Sequence, residues 1–231
     1  KLLPTERIET LSLYVAAWVM SGFFLTQNLA VEAWMDRGEA LSEAIMQRGE
    51  WWRTVTALTL HGDVAHVSAN LATGLLFAAF VIPHFGGGLA WLGILVTGAL
   101  GNAINAWGYR GEAHASIGAS TAVFGALGIL VGAEFVARLS SAHTRSRWQL
   151  VLPIGAGLAL LAFLGVGDEH KTNIDFMAHL WGFVVGLPLG AAGGWLRVKE
   201  RAPRWMQRVA AFATVALIGF AWRRAWSLPH L

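Results

Sequence analysis

The sequence predicts an all-α polytopic membrane protein, and its composition carries the prediction. Of the 231 residues, 55% are hydrophobic and 13% are charged, whereas a soluble domain has about a quarter charged residues. The mean hydropathy is +0.52. The chain has 12 Trp and 27 Gly, and these residues are enriched at membrane interfaces and in membrane helices respectively. The absence of Cys excludes thiol catalysis and thiolate metal ligation, and the small net charge of +3 does not indicate nucleic-acid binding.

Seven segments are candidates for spanning helices, which need about 20 apolar residues each. The charge-free stretch 64–109 divides into two spans at "IPHFGGG" (82–88), because proline and consecutive glycines favour a helix break. The last candidate is short unless its helix extends back past Arg208. The seven predicted spans are 10–31, the two halves of 64–109, 113–133, 148–167, 176–196 and 209–222.

The distribution of Lys and Arg predicts the orientation. The connections "RLSSAHTRSR" and "RVKERAPRWMQR" are rich in basic residues, whereas "YRGEAH" and "GDEHKTNID" hold one each. Cytoplasmic loops carry the excess of Lys and Arg, so we expect the N-terminus and both basic connections in the cytoplasm. The first connection (residues 32–63) then lies on the outer side, and spans two, four and six all run inward from that face.

Polar residues fall near the outer ends of these three spans. His66 and Asn70 are four apart, so they share one face of span two. We place Ser120 about two turns into span four, counted from Glu112, and His179 near the start of span six. Each has an ordinary structural explanation alone, as a packing serine, an interfacial histidine or an interhelical amide. Their joint placement favours a functional cluster, because ionisable residues in membranes usually face a bundle interior or a wet cavity.

The cluster suits nucleophilic catalysis. Ser120 would attack a carbonyl carbon, and His179 would take its proton as general base. The side chains of His66 and Asn70, with the backbone N–H of Ser120, would stabilise the oxyanion. Asp175 resembles a helix-start residue favoured by the helix dipole, and we therefore expect a Ser–His dyad rather than a triad.

Small residues predict close contact between spans four and six, which would bring the serine within reach of the histidine. The glycines concerned are Gly125, Gly128 and Gly132 in span four and, at every fourth position, Gly182, Gly186 and Gly190 in span six.

Three motifs in this order resemble the rhomboid family of intramembrane serine proteases, from about Trp52 to Gly190. They are "WWRTVTALTLHGDVAHVSAN", "GASTAVFGALG" and "IDFMAHLWGFVVG". The resemblance assigns Ser120 and His179 to catalysis. The matching supporting positions are Trp52, Arg53, His66, Asn70, Gly118, Phe124, Gly182 and Gly186.

The resemblance implies a six-helix bundle around a water-accessible cavity open to the outer face. It also implies hydrolysis of peptide bonds in or near the membrane segments of transmembrane protein substrates in the lipid bilayer, and we expect no cofactor or metal. We therefore expect a membrane catalytic domain at 1–200, followed at 201–231 by a basic cytoplasmic loop and a seventh helix. The expected location is a bacterial inner membrane.

The sequence departs from the family pattern Gly-x-Ser-Gly at Thr121, which follows Ser120. A β-branched residue is stiffer and bulkier than glycine, which predicts a tighter oxyanion pocket or narrower access to it. The family usually has an aromatic residue with a hydroxyl beside the catalytic histidine; here Phe124 keeps the ring and has no hydroxyl. In the first connection we expect Arg53 to hydrogen-bond loop carbonyls, with Trp34, Trp51 and Trp52 as interfacial anchors.

Three alternatives to an active protease follow from the same residues. An inactive rhomboid-like protein that binds transmembrane helices is compatible with Thr121, although Ser120 and His179 argue against it. A transporter or channel is disfavoured because neither an inverted repeat nor deep charged residues are visible. A metalloprotease that uses His66 and His179 is disfavoured because no His-Glu-x-x-His motif occurs.

Overall fold

The computed structural model describes residues 4–140, 148, 154–160 and 175–227, with side chains from residue 9 onward. Within this part of the chain, six helices are long and apolar enough to cross a membrane. They confirm the predicted all-α polytopic fold with an additional C-terminal helix. Most of the predicted fifth span (148–167) lies outside the described residues, although 154–160 are helical.

The described elements are helices apart from one pair of two-residue strands. The pair is antiparallel, with Ala40 opposite Ser116 and Leu41 opposite Ala115. In chain order the elements are α1 (Pro4–Gln27), α2 (Val31–Gly38), β1 (Ala40–Leu41), α3 (Ser42–Gln47), α4 (Arg53–Thr56), a 3₁₀ helix (Ala57–Thr59), α5 (Val64–Phe85), α6 (Gly87–Gly108), β2 (Ala115–Ser116), α7 (Ser120–Leu139), α8 (Phe176–Trp195), α9 (Val198–Arg201) and α10 (Arg204–Ser227).

Aspartate caps fix the start of two helices that carry candidate site residues. Asp63 accepts a hydrogen bond from the backbone N–H of His66 at 2.7 Å, at the start of α5. Asp175 accepts one from the N–H of Ala178 at 3.0 Å, at the start of α8. Such caps satisfy N–H groups that have no partner within the helix. They therefore set where His66 and His179 enter their helices.

The predicted start of span four at residue 113 is wrong, because α7 begins at Ser120. Ala115 and Ser116 form β2, and Gly118 has a φ of 116°. This left-handed backbone conformation favours glycine and interrupts a helix. Ser120 is consequently the first residue of its helix instead of lying two helical turns inside it. The backbone turn at Gly118 directly precedes it and determines its position.

The helices α7 and α8 pack with their backbones in close contact. A Cβ atom added to Gly182 would lie 2.1 Å from the carbonyl oxygen of Thr121. One added to Gly186 would lie 2.3 Å from the carbonyl oxygen of Gly125. Neither position has room for a side chain. The two glycines therefore permit the close contact between α7 and α8 that the sequence predicts.

The seventh helix, α10, is longer than the predicted 209–222 because it continues through Arg208 back to Arg204, directly after Pro203. Near its start Gln207 joins the α5–α6 turn. Its side-chain amide donates to the carbonyl of Phe85 at 2.8 Å and accepts from the N–H of Leu89 at 3.1 Å.

The first connection is folded onto the bundle, and every residue from 52 to 61 is buried. Arg53 organises it. Its guanidinium donates to the carbonyl of Asp36 at 2.7 Å and to that of Glu39 at 3.0 Å, and it pairs with the carboxylate of Glu50. Burial acts to raise the pKa of Glu50, but hydrogen bonds from Arg48 and Arg53 hold it below its ordinary value. These contacts keep the connection compact beside the site.

Candidate active site

Ser120 and His179 meet at one end of the bundle. The Nε2 atom of His179 lies 2.8 Å from the Oγ atom of Ser120, within hydrogen-bond distance. Ser120 is the first residue of α7 and His179 the fourth of α8, so the close packing of these helices produces the pair. His179 is buried, whereas Ser120 remains partly accessible.

An aromatic ring packs on the imidazole. The centroid of the Phe124 ring lies 4.7 Å from that of His179, with an angle of 31° between the planes. Phe124 is four residues after Ser120, and the two therefore share one face of α7. This contact restricts the orientations of the imidazole, since the ring of Phe124 is itself buried.

The side chains of His66 and Asn70 converge beside Gly118, two residues before Ser120. A Cβ atom at Gly118 would lie 2.5 Å from Nε2 of His66 and 3.6 Å from Nδ2 of Asn70. Among the described residues, Asn70 Nδ2 is buried without a hydrogen-bond partner, and the N–H of Ser120 is one of those that a helix start leaves unused. Because Gly118 has no side chain, these potential hydrogen-bond donors can lie close to the turn that precedes Ser120.

The side chain of Thr121 packs between α7 and its neighbours α6 and α8. It is 2% exposed, and its methyl carbon would lie 2.7 Å from a Cβ atom at Gly101 and 3.2 Å from one at Gly182. The side chain therefore fills the space that these glycines leave on α6 and α8. This packing does not support the expectation that Thr121 narrows the oxyanion pocket.

His61 was not predicted from the sequence, yet it is fully buried and contacts the residue before Ser120. Its Nε2 atom accepts a hydrogen bond from the backbone N–H of Ala119 at 3.3 Å, so Nδ1 carries the proton. Burial, with a smaller contribution from His66, lowers the pKa of His61 to about 4. The imidazole is therefore neutral at pH 7 and holds the residue that precedes Ser120.

Gln27 of α1 holds His61 in turn. The Gln27 side-chain amide donates to the carbonyl oxygen of His61 and accepts from its N–H at 3.2 Å. Gln27 is 1% exposed, although its helix mostly faces outward. The available sequence signals were an amide at the end of an apolar span and a second histidine five residues before His66.

Asp175 links three elements at the same end of the bundle. Besides capping α8, its carboxylate accepts from Asn105 Nδ2 at 2.6 Å and lies 2.7 Å from Nε2 of His114. Asn105 belongs to α6, and His114 immediately precedes β2. The contacts join the start of the His179 helix to α6 and to the turn that leads to Ser120.

The fold and the site define a polytopic membrane protein in which a serine and a histidine from different helices meet at one end of the bundle. The Rhomboid domain profile matches residues 48–196. The chain belongs to the rhomboid family.

Three relatives illustrate the similarity. Rhomboid protease GluP of Bacillus subtilis is 27% identical over 192 residues, covering 83% of this chain and 35% of GluP. YdcA of the same bacterium is 26% identical over 179 residues, covering 78% of this chain and 83% of YdcA. Rhomboid-type serine protease 2 of Emericella nidulans is 28% identical over 142 residues, covering 61% of this chain and 26% of that protein. The chain thus spans most of YdcA and only about a third of GluP.

Proposed function

We propose that this protein is an intramembrane serine protease that hydrolyses peptide bonds in or near the transmembrane segments of membrane proteins, with Ser120 and His179 as a catalytic dyad. The observation that carries the proposal is the 2.8 Å contact between Ser120 Oγ and His179 Nε2. It provides the nucleophile and general base that acyl transfer requires. The names of GluP and of the Emericella nidulans relative, which call them proteases, support the same activity.

The proposed reaction has two halves. Ser120 Oγ bonds to the carbonyl carbon of the substrate while His179 Nε2 takes the hydroxyl proton. The same imidazole then gives this proton to the nitrogen of the leaving amine as the C–N bond breaks. A water molecule attacks the resulting ester, its proton passes to His179 and then to the serine oxygen, and the carboxylic acid product leaves.

The negative charge of each tetrahedral intermediate needs fixed donors. We assign this role to Nε2–H of His66, Nδ2–H of Asn70 and the backbone N–H of Ser120. The convergence of the two side chains beside Gly118 supports the assignment. One such donor is typically worth about 10²–10³ in rate.

We further propose that the catalytic domain comprises residues 1–200 and that 201–231 add a cytoplasmic loop and a seventh helix. The N-terminus would be cytoplasmic, the site would open to the outer face, and the protein would reside in a bacterial inner membrane. The basic connections support this orientation, and the similarity to two Bacillus subtilis proteins supports a bacterial membrane. The substrates would be transmembrane proteins embedded in the same bilayer.

Labelling with a fluorophosphonate probe in detergent tests the proposal. We expect the wild type to label and to cleave a membrane-helix peptide, and Ser120→Ala and His179→Ala to lose both activities. Ser68→Ala is the matched control, because Ser68 lies on α5 and is exposed. Labelling that survives Ser120→Ala would remove this residue from the mechanism. A folded wild type that neither labels nor cleaves would contradict the proposed activity and favour an inactive helix-binding protein.

A further inference from the structure

The outer end of α10 packs into the first connection through Trp222, which is 6% exposed. Its ring centroid lies 4.4 Å from that of Trp34 and 6.2 Å from that of Phe23. Gly38 makes room for this ring, because a Cβ atom there would lie 2.6 Å from Cη2 of Trp222. The indole of α10 thus occupies a fitted space formed by α1 and the first connection.

The same indole makes a specific polar contact. Nε1–H of Trp222 donates to Oγ1 of Thr59 at 3.0 Å, in a buried environment. The Thr59 hydroxyl donates in turn to the carbonyl of Thr56 at 2.7 Å. A buried indole N–H generally requires such a partner, and the bond fixes the rotation of the ring as well as the position of Thr59.

Thr59 ends the 3₁₀ helix, and this helix supports the turn before Ser120. The carbonyl of Ala57 accepts a hydrogen bond from the N–H of Gly118 at 2.9 Å. Gly118 forms the left-handed turn and adjoins His66. Two hydrogen bonds and one turn of 3₁₀ helix therefore connect Trp222 to Gly118.

Further contacts hold α10 in place. Near its start Gln207 bonds to the α5–α6 turn, as described above, and its carbonyl oxygen would lie 1.8 Å from a Cβ atom at Gly88. Near its end the guanidinium of Arg37 lies 4.2 Å from the ring centroid of Trp226, a favourable cation–π distance. With both ends attached, the helix can transmit a fixed position to Thr59.

We propose that α10 clamps the site, with Trp222 as a positioning residue that acts through Thr59 and the 3₁₀ helix on the Gly118 turn. This inference rests on the proposed protease function and extends it to residues outside the segment that matches the Rhomboid domain profile. The clamp fixes the turn that carries Ser120 and borders the oxyanion pocket. Small displacements of reacting groups are costly in rate, so loosening the clamp lowers kcat more than it changes KM.

Conservative substitutions test the hydrogen bond without emptying the aromatic cluster. Trp222→Phe keeps a ring and removes the N–H, and Thr59→Val keeps the shape and removes the hydroxyl. We expect each to lower kcat about tenfold with KM nearly unchanged. Thr59→Ser restores the hydroxyl and should recover most of the rate. Because both variants remove the same bond, the double variant should be little worse than Thr59→Val alone. Trp205→Phe is the matched control, since Trp205 lies on the same helix and is 64% exposed.

Hydrogen–deuterium exchange separates failure of the clamp from failure of the protease proposal. In Trp222→Phe the Gly118 amide should exchange faster than in the wild type, whether or not the protein is active, while Trp205→Phe should not differ. Unchanged exchange at Gly118, or an unchanged kcat in an enzyme that labels with fluorophosphonate, would overturn the clamp and leave the dyad standing. A wild type that does not label, combined with faster exchange in Trp222→Phe, would overturn the dyad and retain the structural clamp.

Discussion

Buried contacts on both sides of Ser120 fix the turn from which its helix begins. Ala119 donates its N–H to His61, and Gly118 donates its N–H to Ala57. On the opposite side, Thr121 fits against Gly101. These contacts hold the backbone immediately before and after the serine. They therefore fix the position from which its hydroxyl reaches His179.

His61 makes the stability of the fold depend on pH. Its pKa falls from an ordinary 6.5 to about 4 in the folded protein, because burial disfavours the charged form and His66 adds a smaller effect. The unfolded chain therefore binds more protons between these values, and stability is lost as the pH falls through 6.5. Between pH 7.5 and 5 we expect His61 to account for a loss of about 2 kcal/mol in the free energy of unfolding.

Thermal unfolding in detergent at several pH values measures this effect. His61→Gln removes the titrating group while keeping a side-chain acceptor for Ala119, and its unfolding temperature should vary less over this range than that of the wild type. His84→Gln is the control, because His84 lies in the last turn of α5, away from the site. An equally steep dependence in His61→Gln would show that His61 is not the responsible group.

The spacing of polar residues in apolar segments was enough to single out His66, Asn70, Ser120 and His179. That signal identifies side chains on helices, because placing a polar residue in a membrane helix costs free energy and such residues are therefore rare. It does not work for His61, which lies in a loop and acts on a backbone group of Ala119. Contacts between a side chain and distant backbone follow from the tertiary fold and have no periodicity in the sequence.

Among the helices, the interface between α7 and α8 determines whether a dyad can form. The glycines of α8 repeat every fourth residue and meet backbone atoms of α7. Their spacing was sufficient to predict this contact. The start of α7 was not predictable from hydropathy, because 113–119 contains no Asp, Glu, Lys or Arg, and neither do the first 14 residues of the helix (120–133). The pairing of β2 with the first connection and the turn at Gly118 make the helix begin seven residues later than the charge-free stretch does.

Adding one methyl group at this interface should separate the dyad. Gly182→Ala would bring Cβ within 2.1 Å of a backbone oxygen, a contact that only a shift of α7 against α8 can relieve. We expect at least about a hundredfold loss of activity and a lower unfolding temperature.

Gly219→Ala on α10 is the matched control, because nothing lies within 4 Å of an added Cβ atom there. It should be neutral, or stabilising by up to about 1 kcal/mol through helix propensity. Peptide cleavage and thermal unfolding of the two variants decide the matter. Normal activity in Gly182→Ala would mean that the close approach of α7 and α8 is not required.

At the scale of the whole molecule, arginines of the first connection and of the end of α10, which lie outside the two basic connections, have structural partners. Arg53 binds carbonyls of the first connection. Arg37 lies over Trp226, and Arg224 lies 5.3 Å from the ring centroid of Trp52. At the other end of the bundle, Lys199 pairs with Glu9 of α1. The start of α1 therefore lies beside the basic segment before α10, as a common cytoplasmic face requires.

Because the chain contains no cysteine, single substitutions can report its orientation without a background. Three exposed positions are suitable for a cysteine. Glu112 lies in the connection at the site end of the bundle, Ser227 ends α10, and Glu200 lies in the basic segment before α10. In intact cells a membrane-impermeant maleimide should label the first two variants, and Glu200→Cys only after permeabilisation.

Labelling of Glu200→Cys alone in intact cells would invert the topology and place the site in the cytoplasm. Labelling of Glu112→Cys without Ser227→Cys, in a variant that labels after denaturation, would contradict a seventh crossing by α10. The contact between Trp222 and Thr59 requires Ser227 and the site to lie on the same side of the membrane, so this experiment tests the orientation and the attachment of α10 together.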